Sequence, residues 1–231
     1  MDIHGFTKTT LLDYPGLVAA TVFTGGCNFR CPFCHNAQLV LDPQSYPRED
    51  EQELLSFLKK RFGILEGVCI TGGEPTLQPD LKDFIIRLKE LGYKVKLDTN
   101  GFNPSVLRDL IDSALLDYVA MDIKSGRTGY GHVTGLSNFK IDSICESINI
   151  LSRNAIPYEF RTTAVKGLHD AEDFEDISAW LPSDCHYYIQ SYKETDGIGS
   201  LHCDSFSKEQ LEHFLQIVKT RIPNSSLRGV E

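Results

Sequence analysis

The chain has 231 residues, of which 41% are hydrophobic, and a formal net charge of −9. This length suits a single domain over residues 1–231, with a core of its own. The negative charge and the dispersed basic residues exclude an electrostatic nucleic-acid surface. No apolar run approaches the roughly 18 residues of a membrane span. The first residues lack the apolar region of a signal peptide, so we expect a cytoplasmic protein.

Short apolar runs alternate with amphipathic stretches, a pattern typical of parallel strands joined by helices. The predicted strands are residues 17–23, 67–70, 94–97, 118–123, 158–165 and 187–190. The predicted helices bury apolar stripes formed by Leu54, Leu55, Leu58 and Phe62; Leu81, Phe84, Ile85, Leu88 and Leu91; Val106, Leu107, Leu110 and Ile111; Ile144, Ile148 and Leu151; Phe174, Ile177 and Leu181; and Leu211, Phe214, Leu215 and Val218. Residues 42–50 read as an exposed loop before a helix.

Six strand–helix units fall short of a full eight-unit barrel, which takes about 250 residues. The sequence therefore predicts an α/β fold with a partial parallel (β/α)6 barrel. Ligands of such sheets bind at the carboxyl ends of the strands. Glycines and polar residues follow four predicted strands there, in segments 24–27, 71–75, 98–101 and 122–124.

Three of the seven cysteines, Cys27, Cys31 and Cys34, stand within eight residues. This spacing is too tight for an ordinary disulfide framework and indicates metal binding or catalysis. The four scattered cysteines are expected to be buried structural thiols. They are Cys69, Cys145, Cys185 and Cys203.

Cysteine thiolates hold iron–sulfur clusters, normally four for a four-iron cluster, so three would leave one iron open to a substrate. The alternative is a zinc site with three cysteines and one histidine, because His35 adjoins Cys34. Two adjacent ligands fit poorly around one tetrahedron, and no second ligand pair is present. The pattern therefore favours a four-iron, four-sulfur cluster.

The Cys27-x3-Cys31-x2-Cys34 motif, with Phe33 before the last cysteine, resembles the signature of the radical S-adenosylmethionine superfamily. The resemblance implies a partial or full parallel barrel in which the three cysteines hold the cluster. It also implies that the open iron chelates the methionine part of S-adenosylmethionine. Reductive cleavage would then give methionine and a 5′-deoxyadenosyl radical that abstracts a hydrogen atom.

The same resemblance implies which residues contact the cofactor. Gly72, Gly73 and Glu74 match an element that receives the cofactor's ammonium group, although a simple turn is the alternative. The further candidates are Phe33, His35 and Asn36 beside the cluster, Asp98 and Thr99 in a possible polar turn, Asp122 and Lys124 as a possible surface ion pair, and Arg161, Gln190 and Tyr192. Lys124 would neutralise the cofactor carboxylate, and Asp122 shares its strand face.

Similarity is closest to activating proteins of glycyl radical enzymes, through residues 5–8, 11–16 and 27–36. The activator of anaerobic ribonucleoside-triphosphate reductase is the best match, and that of pyruvate formate-lyase the next. The resemblance implies that a glycyl radical enzyme is the protein substrate and that flavodoxin or ferredoxin is the electron donor. It also implies that Asp13 lies near the target peptide, although an ordinary turn over residues 13–16 is the alternative. The alternatives are a small-molecule radical enzyme such as 7-carboxy-7-deazaguanine synthase, or a non-enzymatic metal-binding module.

Overall fold

The computed structural model describes residues 1–137, 139–193 and 203–230. Its strands are β1 (Ile3–Thr10), β2 (Ala19–Thr24), β3 (Gly67–Gly72), β4 (Lys94–Thr99), β5 (Tyr118–Asp122), β6 (Tyr158–Ala164), β7 (His186–Ser191) and β8 (Ser225–Arg228). Its α-helices are α1 (Ala37–Leu41), α2 (Glu51–Arg61), α3 (Leu81–Glu90), α4 (Pro104–Asp112), α5 (Tyr130–Thr134), α6 (Asp142–Arg153), α7 (Ala171–Trp180) and α8 (Lys208–Lys219). Short 3-10 turns cover Pro43–Ser45 and Pro75–Leu77.

The strands form one sheet in the chain order β1 to β8. β1 is antiparallel to β2, whereas β2 pairs in parallel with β3, β3 with β4, β6 with β7, and β7 with β8. Within the described residues β8 does not return to β1, so the sheet is open. The predicted α/β fold with an incomplete parallel barrel is confirmed.

The chain divides into two compact units. The first unit comprises residues 1–28, 38–120 and 155–157, and the second unit comprises residues 29–37, 121–154 and 158–231. The boundary falls within β5 and within the cysteine motif, so Cys27 belongs to the first unit, and Cys31 and Cys34 belong to the second. The expectation of a single domain over residues 1–231 stays a prediction.

The helices bury the predicted apolar stripes and start at well-formed caps. Asp50 accepts hydrogen bonds from two backbone N–H groups of α2, while Asp170 and Ser207 form capping boxes at α7 and α8. Such caps satisfy donors that a helix start leaves open. The prediction for Phe62 was wrong: this residue follows the end of α2 and is 61% exposed.

The two strands β1 and β8 were not predicted from the sequence. β1 buries the adjacent residues Ile3 and His4 and exposes its second half, so it lacks the alternation expected of a half-buried strand. β8 has only four residues, three of them polar. Both are sheet edges, where burial constrains the sequence less. The other strands match the predicted runs within two residues at each end.

No described helix is both long and apolar enough to cross a membrane.

Candidate active site

Glu74 lies directly after β3 and holds the ends of two strands together within the first unit. Its Oε1 accepts hydrogen bonds from the Thr76 N–H (3.1 Å), the Thr76 hydroxyl (2.5 Å) and the Thr99 hydroxyl (2.7 Å). Its Oε2 accepts the Asn100 N–H at 2.7 Å. The residue is only 1% exposed, and burial raises the pKa of its carboxyl against the opposing effect of these donors. All four donors are uncharged, so Glu74 has no ionic partner among them.

Gly72 and Gly73 bring the backbone after β3 against the loop that leads to Cys27. Gly72 has a φ of +111°, and a Cβ there would lie 2.4 Å from the Thr24 nitrogen. A Cβ on Gly73 would lie 1.8 Å from the Gly26 oxygen. At Gly72 both the dihedral angle and the contact exclude a side chain, and at Gly73 the contact alone excludes one. The two glycines thus fix the loop before the first cysteine.

Asp98 faces a buried lysine that sequence reasoning missed. The Lys96 ammonium forms an ion pair with Asp98 and lies 3.7 Å from the Cys69 sulfur. The Cys69 thiol in turn lies 3.7 Å from the Asp98 carboxylate. Lys96 and Asp98 alternate with apolar Val95 and Leu97 along β4, a period-two signal that could have placed both on one face. As predicted, Cys69, Cys185 and Cys203 are buried, whereas the prediction for Cys145 was wrong, because that residue is only half-buried.

The turn after β4 connects to the first cysteine. The Asn100 side-chain amide donates to Asn28 Oδ1 at 2.8 Å and lies 3.7 Å from Cys27 Sγ. Its own oxygen accepts the Phe102 N–H at 3.0 Å. The Thr99 hydroxyl also accepts the Gly101 N–H at 3.1 Å. The predicted polar turn is therefore present, and it places an amide beside Cys27.

Asp13 lies in the loop between β1 and β2. Because β1 is antiparallel to β2, this loop lies at the amino end of β2, whereas Cys27 follows its carboxyl end. Asp13 is half-buried and accepts a 2.5 Å hydrogen bond from the Thr21 hydroxyl. The neighbouring Leu11 and Leu12 are 73% and 91% exposed.

In the second unit, Asp122 at the end of β5 pairs with two cations. Its carboxylate lies 2.9 Å from the Lys124 ammonium and 2.9 Å from the Arg161 guanidinium on β6. Burial alone would raise the pKa of Asp122, but the charges of Arg161 and Lys124 hold it well below its usual range. Burial alone would lower the pKa of Lys124, but the charge of Asp122 raises it. Both groups therefore stay ionised at neutral pH.

The second half of the cysteine motif lies in the same unit as these charges. The Cys34 N–H donates to the Cys31 carbonyl at 3.1 Å. Burial raises the pKa of the Cys34 thiol, against the Asn36 N–H and the positive charge of Lys124, which lower it. The sulfur of Cys31 also raises the pKa of Lys124. Lys124 therefore acts electrostatically on both thiols.

His35 and Tyr192 stack on each other, with ring centroids 5.7 Å apart and an interplanar angle of 18°. His35 Nε2 also lies 3.1 Å from the Lys193 carbonyl. Gln190, at the end of β7, is half-buried. These contacts bring two predicted candidates, His35 and Tyr192, together in the second unit.

His169 links the cysteine motif to Lys124, a role that sequence reasoning missed. Its Nδ1 accepts the Val165 N–H at 3.1 Å, so Nε2 carries the proton and donates to the Lys124 carbonyl at 2.7 Å. The ring makes an edge contact with Phe33, centroid to centroid 6.2 Å. Burial lowers the pKa of His169, which keeps the ring neutral. One lone histidine in a loop offers no sequence signal for such a role.

None of the seven cysteines, all of which the structure describes, forms a disulfide. Over residues 1–137, 139–193 and 203–230, no three His, Cys, Asp or Glu side chains are grouped closely enough to hold a metal ion.

The model of the radical SAM superfamily matches residues 21–181, which include all three motif cysteines. The chain belongs to the radical S-adenosylmethionine superfamily. Membership confirms the resemblance inferred from the motif and identifies a radical S-adenosylmethionine enzyme. It implies a four-iron, four-sulfur cluster and S-adenosylmethionine as cofactors.

Two relatives illustrate which kinds of enzyme this chain is similar to. A protein of Methanocaldococcus jannaschii, provisionally named a glycyl-radical enzyme activating enzyme, is 33% identical over 239 residues, covering 99% of this chain and 96% of the relative. A protein of Pyrococcus horikoshii, provisionally named a GTP 3′,8-cyclase, is 31% identical over 150 residues, covering 64% of this chain and 47% of the relative.

Among solved structures, Streptococcus suis SuiB bound to S-adenosylmethionine superimposes with a TM-score of 0.67 at 16% identity. The match covers 88% of this chain and 48% of SuiB, so this chain corresponds to about half of that protein. At this identity the likeness concerns the fold alone.

Proposed function

We propose that this radical S-adenosylmethionine enzyme installs a glycyl radical on a partner enzyme. One observation carries the proposal: the similarity to the Methanocaldococcus jannaschii relative extends over 99% of this chain and 96% of that protein. The GTP 3′,8-cyclase relative, by contrast, is matched over only 47% of its length. Anaerobic ribonucleoside-triphosphate reductase is the partner to test first, and pyruvate formate-lyase the second.

The cysteine motif suits an iron–sulfur cluster chemically. Cys27, Cys31 and Cys34 offer three thiols that are not engaged in disulfides, and the three residues are buried or half-buried. Beside Cys27, the Nδ2 of Asn28 is shielded from solvent and has no hydrogen-bond partner among the described residues, and cluster sulfur would supply one. A bound cluster supplies the electron that cleaves S-adenosylmethionine, with flavodoxin or ferredoxin as the external donor.

Opposite charges are available for the two ends of the cofactor's methionine moiety. In the first unit, Glu74 would receive the ammonium group. Among the described residues its Oε2 accepts only the Asn100 N–H, so the second lone pair of that oxygen could accept the ammonium. In the second unit, Lys124 would bind the carboxylate, because Asp122 divides one negative charge between two cations and neutralises Lys124 incompletely.

The remaining assignments are proposals from the family resemblance. Phe33, His35, Asn36 and Gln190 would form the adenosine side of the site. The stack of His35 on Tyr192 gives His35 a defined orientation for this role. Gly72, Gly73, Asp98 and Thr99 would line the methionine side. The role of Asp13 near the target peptide stays a prediction from the resemblance alone, because its loop lies at the amino end of β2 and Cys27 follows the carboxyl end.

The first experiment tests the cluster. Anaerobically reconstituted protein should contain about four irons per chain, and replacing Cys27, Cys31 or Cys34 with alanine should abolish the cluster absorbance. Cys145→Ala is the matched control, because Cys145 is also half-buried but lies outside the motif. Iron retained in the motif variants, or stoichiometric zinc in protein purified without oxygen, would refute the assignment.

The second experiment tests the reaction. Reduced protein, S-adenosylmethionine and anaerobic ribonucleoside-triphosphate reductase should together give the doublet of a glycyl radical in electron paramagnetic resonance spectra. The reductase with its radical-site glycine changed to alanine is the control. If neither candidate partner gains a radical while GTP or a purine precursor is converted, the enzyme acts on a small molecule instead.

A further inference from the structure

The orientation of two asparagine amides leaves one buried donor beside Cys27. The Phe102 N–H can only donate, so the Asn100 group that faces it at 3.0 Å is the oxygen. The Asn100 nitrogen therefore faces Asn28, and the Asn28 group that it meets at 2.8 Å must be an oxygen. This fixes the remaining Asn28 group as the Nδ2 donor.

That Asn28 nitrogen is shielded from solvent and has no acceptor among the described residues. A buried amide donor without an acceptor is unfavourable, and native proteins rarely retain one without a reason. The Asn28 side chain is held against Cys27, whose sulfur lies 3.8 Å from Asn28 Oδ1 and 3.7 Å from Asn100 Nδ2. Cys27, the only motif cysteine in the first unit, therefore lies beside two side-chain amides.

We propose that Asn28 and Asn100 donate N–H···S hydrogen bonds to the sulfur atoms at the Cys27 corner of the cluster and so set its reduction potential. Asn100 donates to the Cys27 thiolate, and Asn28 donates to cluster sulfur next to it. The inference rests on the proposed cluster and extends it to two residues other than the three cysteines.

The direction of the effect follows from charge. Reduction adds an electron to the cluster, and N–H dipoles that point at its sulfurs stabilise the more negative, reduced state. Hydrogen bonds to the sulfurs are among the factors that set cluster potentials. Loss of a donor should therefore make the cluster harder to reduce and lower its potential.

The test is a redox titration of the four-iron protein without S-adenosylmethionine, monitored by electron paramagnetic resonance. In Asn28→Leu and Asn100→Leu the equilibrium constant for reduction should fall about threefold to tenfold, where tenfold corresponds to about 59 mV for one electron. Asn103→Leu is the matched control, because Asn103 lies in the same turn but donates to Thr76. Its potential should equal that of the wild type.

A measurement on the wild type covers the case in which the leucine variants lose the cluster. Protein labelled with 15N only in asparagine side chains should show 15N coupling to the reduced cluster in pulsed spectra, and the coupling should persist in Asn103→Leu. A full cluster with an unchanged potential in Asn28→Leu, or no such coupling in the wild type, overturns this inference. Wild-type protein that binds no four-iron cluster overturns the proposed function instead.

Discussion

Glu74, which follows β3 in the first unit, and Asp122, which ends β5 in the second unit, are carboxylates that are stabilised in opposite ways. Glu74 is 1% exposed and accepts four hydrogen bonds from uncharged donors. The Asp122 side chain is 30% exposed and pairs with two cations. The pKa of Glu74 is consequently raised and that of Asp122 lowered.

The difference separates two functions of a buried carboxylate. Glu74 connects the loop after β3 to the loop after β4 through hydrogen bonds from neutral donors. No cation neutralises its negative charge among these contacts, so that charge is available to a cationic ligand. Asp122 forms ion pairs with both Lys124 and Arg161 and positions the Lys124 ammonium. The positive charge of Lys124 is only partly neutralised and remains available to an anionic ligand. Four experiments test this contrast.

Glu74→Ala should have the largest effect. It leaves four donors without their acceptor, so we expect unfolding in urea to show a loss of about 3 kcal/mol or more. Glu74→Gln is the control, because its oxygen can still accept from Thr76 and Thr99, and it should lose clearly less stability. Equal stability of Glu74→Ala and the wild type would show that the four hydrogen bonds do not clamp the loops.

Lys124→Ala should mainly affect the cofactor. If Lys124 binds the cofactor carboxylate, the loss of this charge costs up to about 2 kcal/mol of binding free energy, reduced by partial exposure. Anaerobic titration of the cluster-loaded protein measures the affinity. Lys82→Ala, which removes an exposed ion pair with Asp109, is the control and should bind normally. Unchanged affinity of Lys124→Ala would exclude the proposed contact.

The contributions of Asp122 and Glu74 to the free energy of unfolding should change with pH in opposite directions. Asp122 has a lowered pKa, so its contribution to stability is present above about pH 3.9, the unfolded value, and is lost as the pH falls through the folded value. Glu74 has a raised pKa, so its contribution declines as the pH rises from about 4.3 towards the folded value. Urea unfolding of Asp122→Asn and Glu74→Gln, each compared with wild type between pH 3 and 7, measures both trends. The same sign for both would contradict the structural contrast.

His169→Gln should have the smallest effect. His169 has a lowered pKa and is neutral when folded, so its stabilisation is complete above about pH 6.5 and is lost as the pH falls below that value. The wild type should lose at most about 1.4 kcal/mol per pH unit more than the variant in this window. Thermal unfolding of the wild type and of His169→Gln from pH 7.5 to 5.5 measures this difference in stability. If the stabilities of the two proteins change in parallel with pH, His169 does not titrate on unfolding.

The sequence by itself determined much of this protein. The resemblance of the Cys27-x3-Cys31-x2-Cys34 motif to a known signature indicated the superfamily, and the family model confirmed it. Alternating apolar and amphipathic runs predicted the parallel α/β fold. The period of two along a strand put Asp122 and Lys124 on one face, and their charged groups lie 2.9 Å apart. These features are local in sequence, so pattern and spacing suffice to find them.

Only the tertiary structure decided which groups meet across long stretches of chain. Glu74 meets Asn100 across 26 residues, Asp122 meets Arg161 across 39, His169 meets Lys124 across 45, and Asn28 meets Asn100 across 72. Parallel strands bring distant strand ends to one edge of a sheet, but a hydrogen bond also needs a rotamer, a tautomer and a shielded position. Those depend on packing around each side chain, which spacing along the chain does not encode.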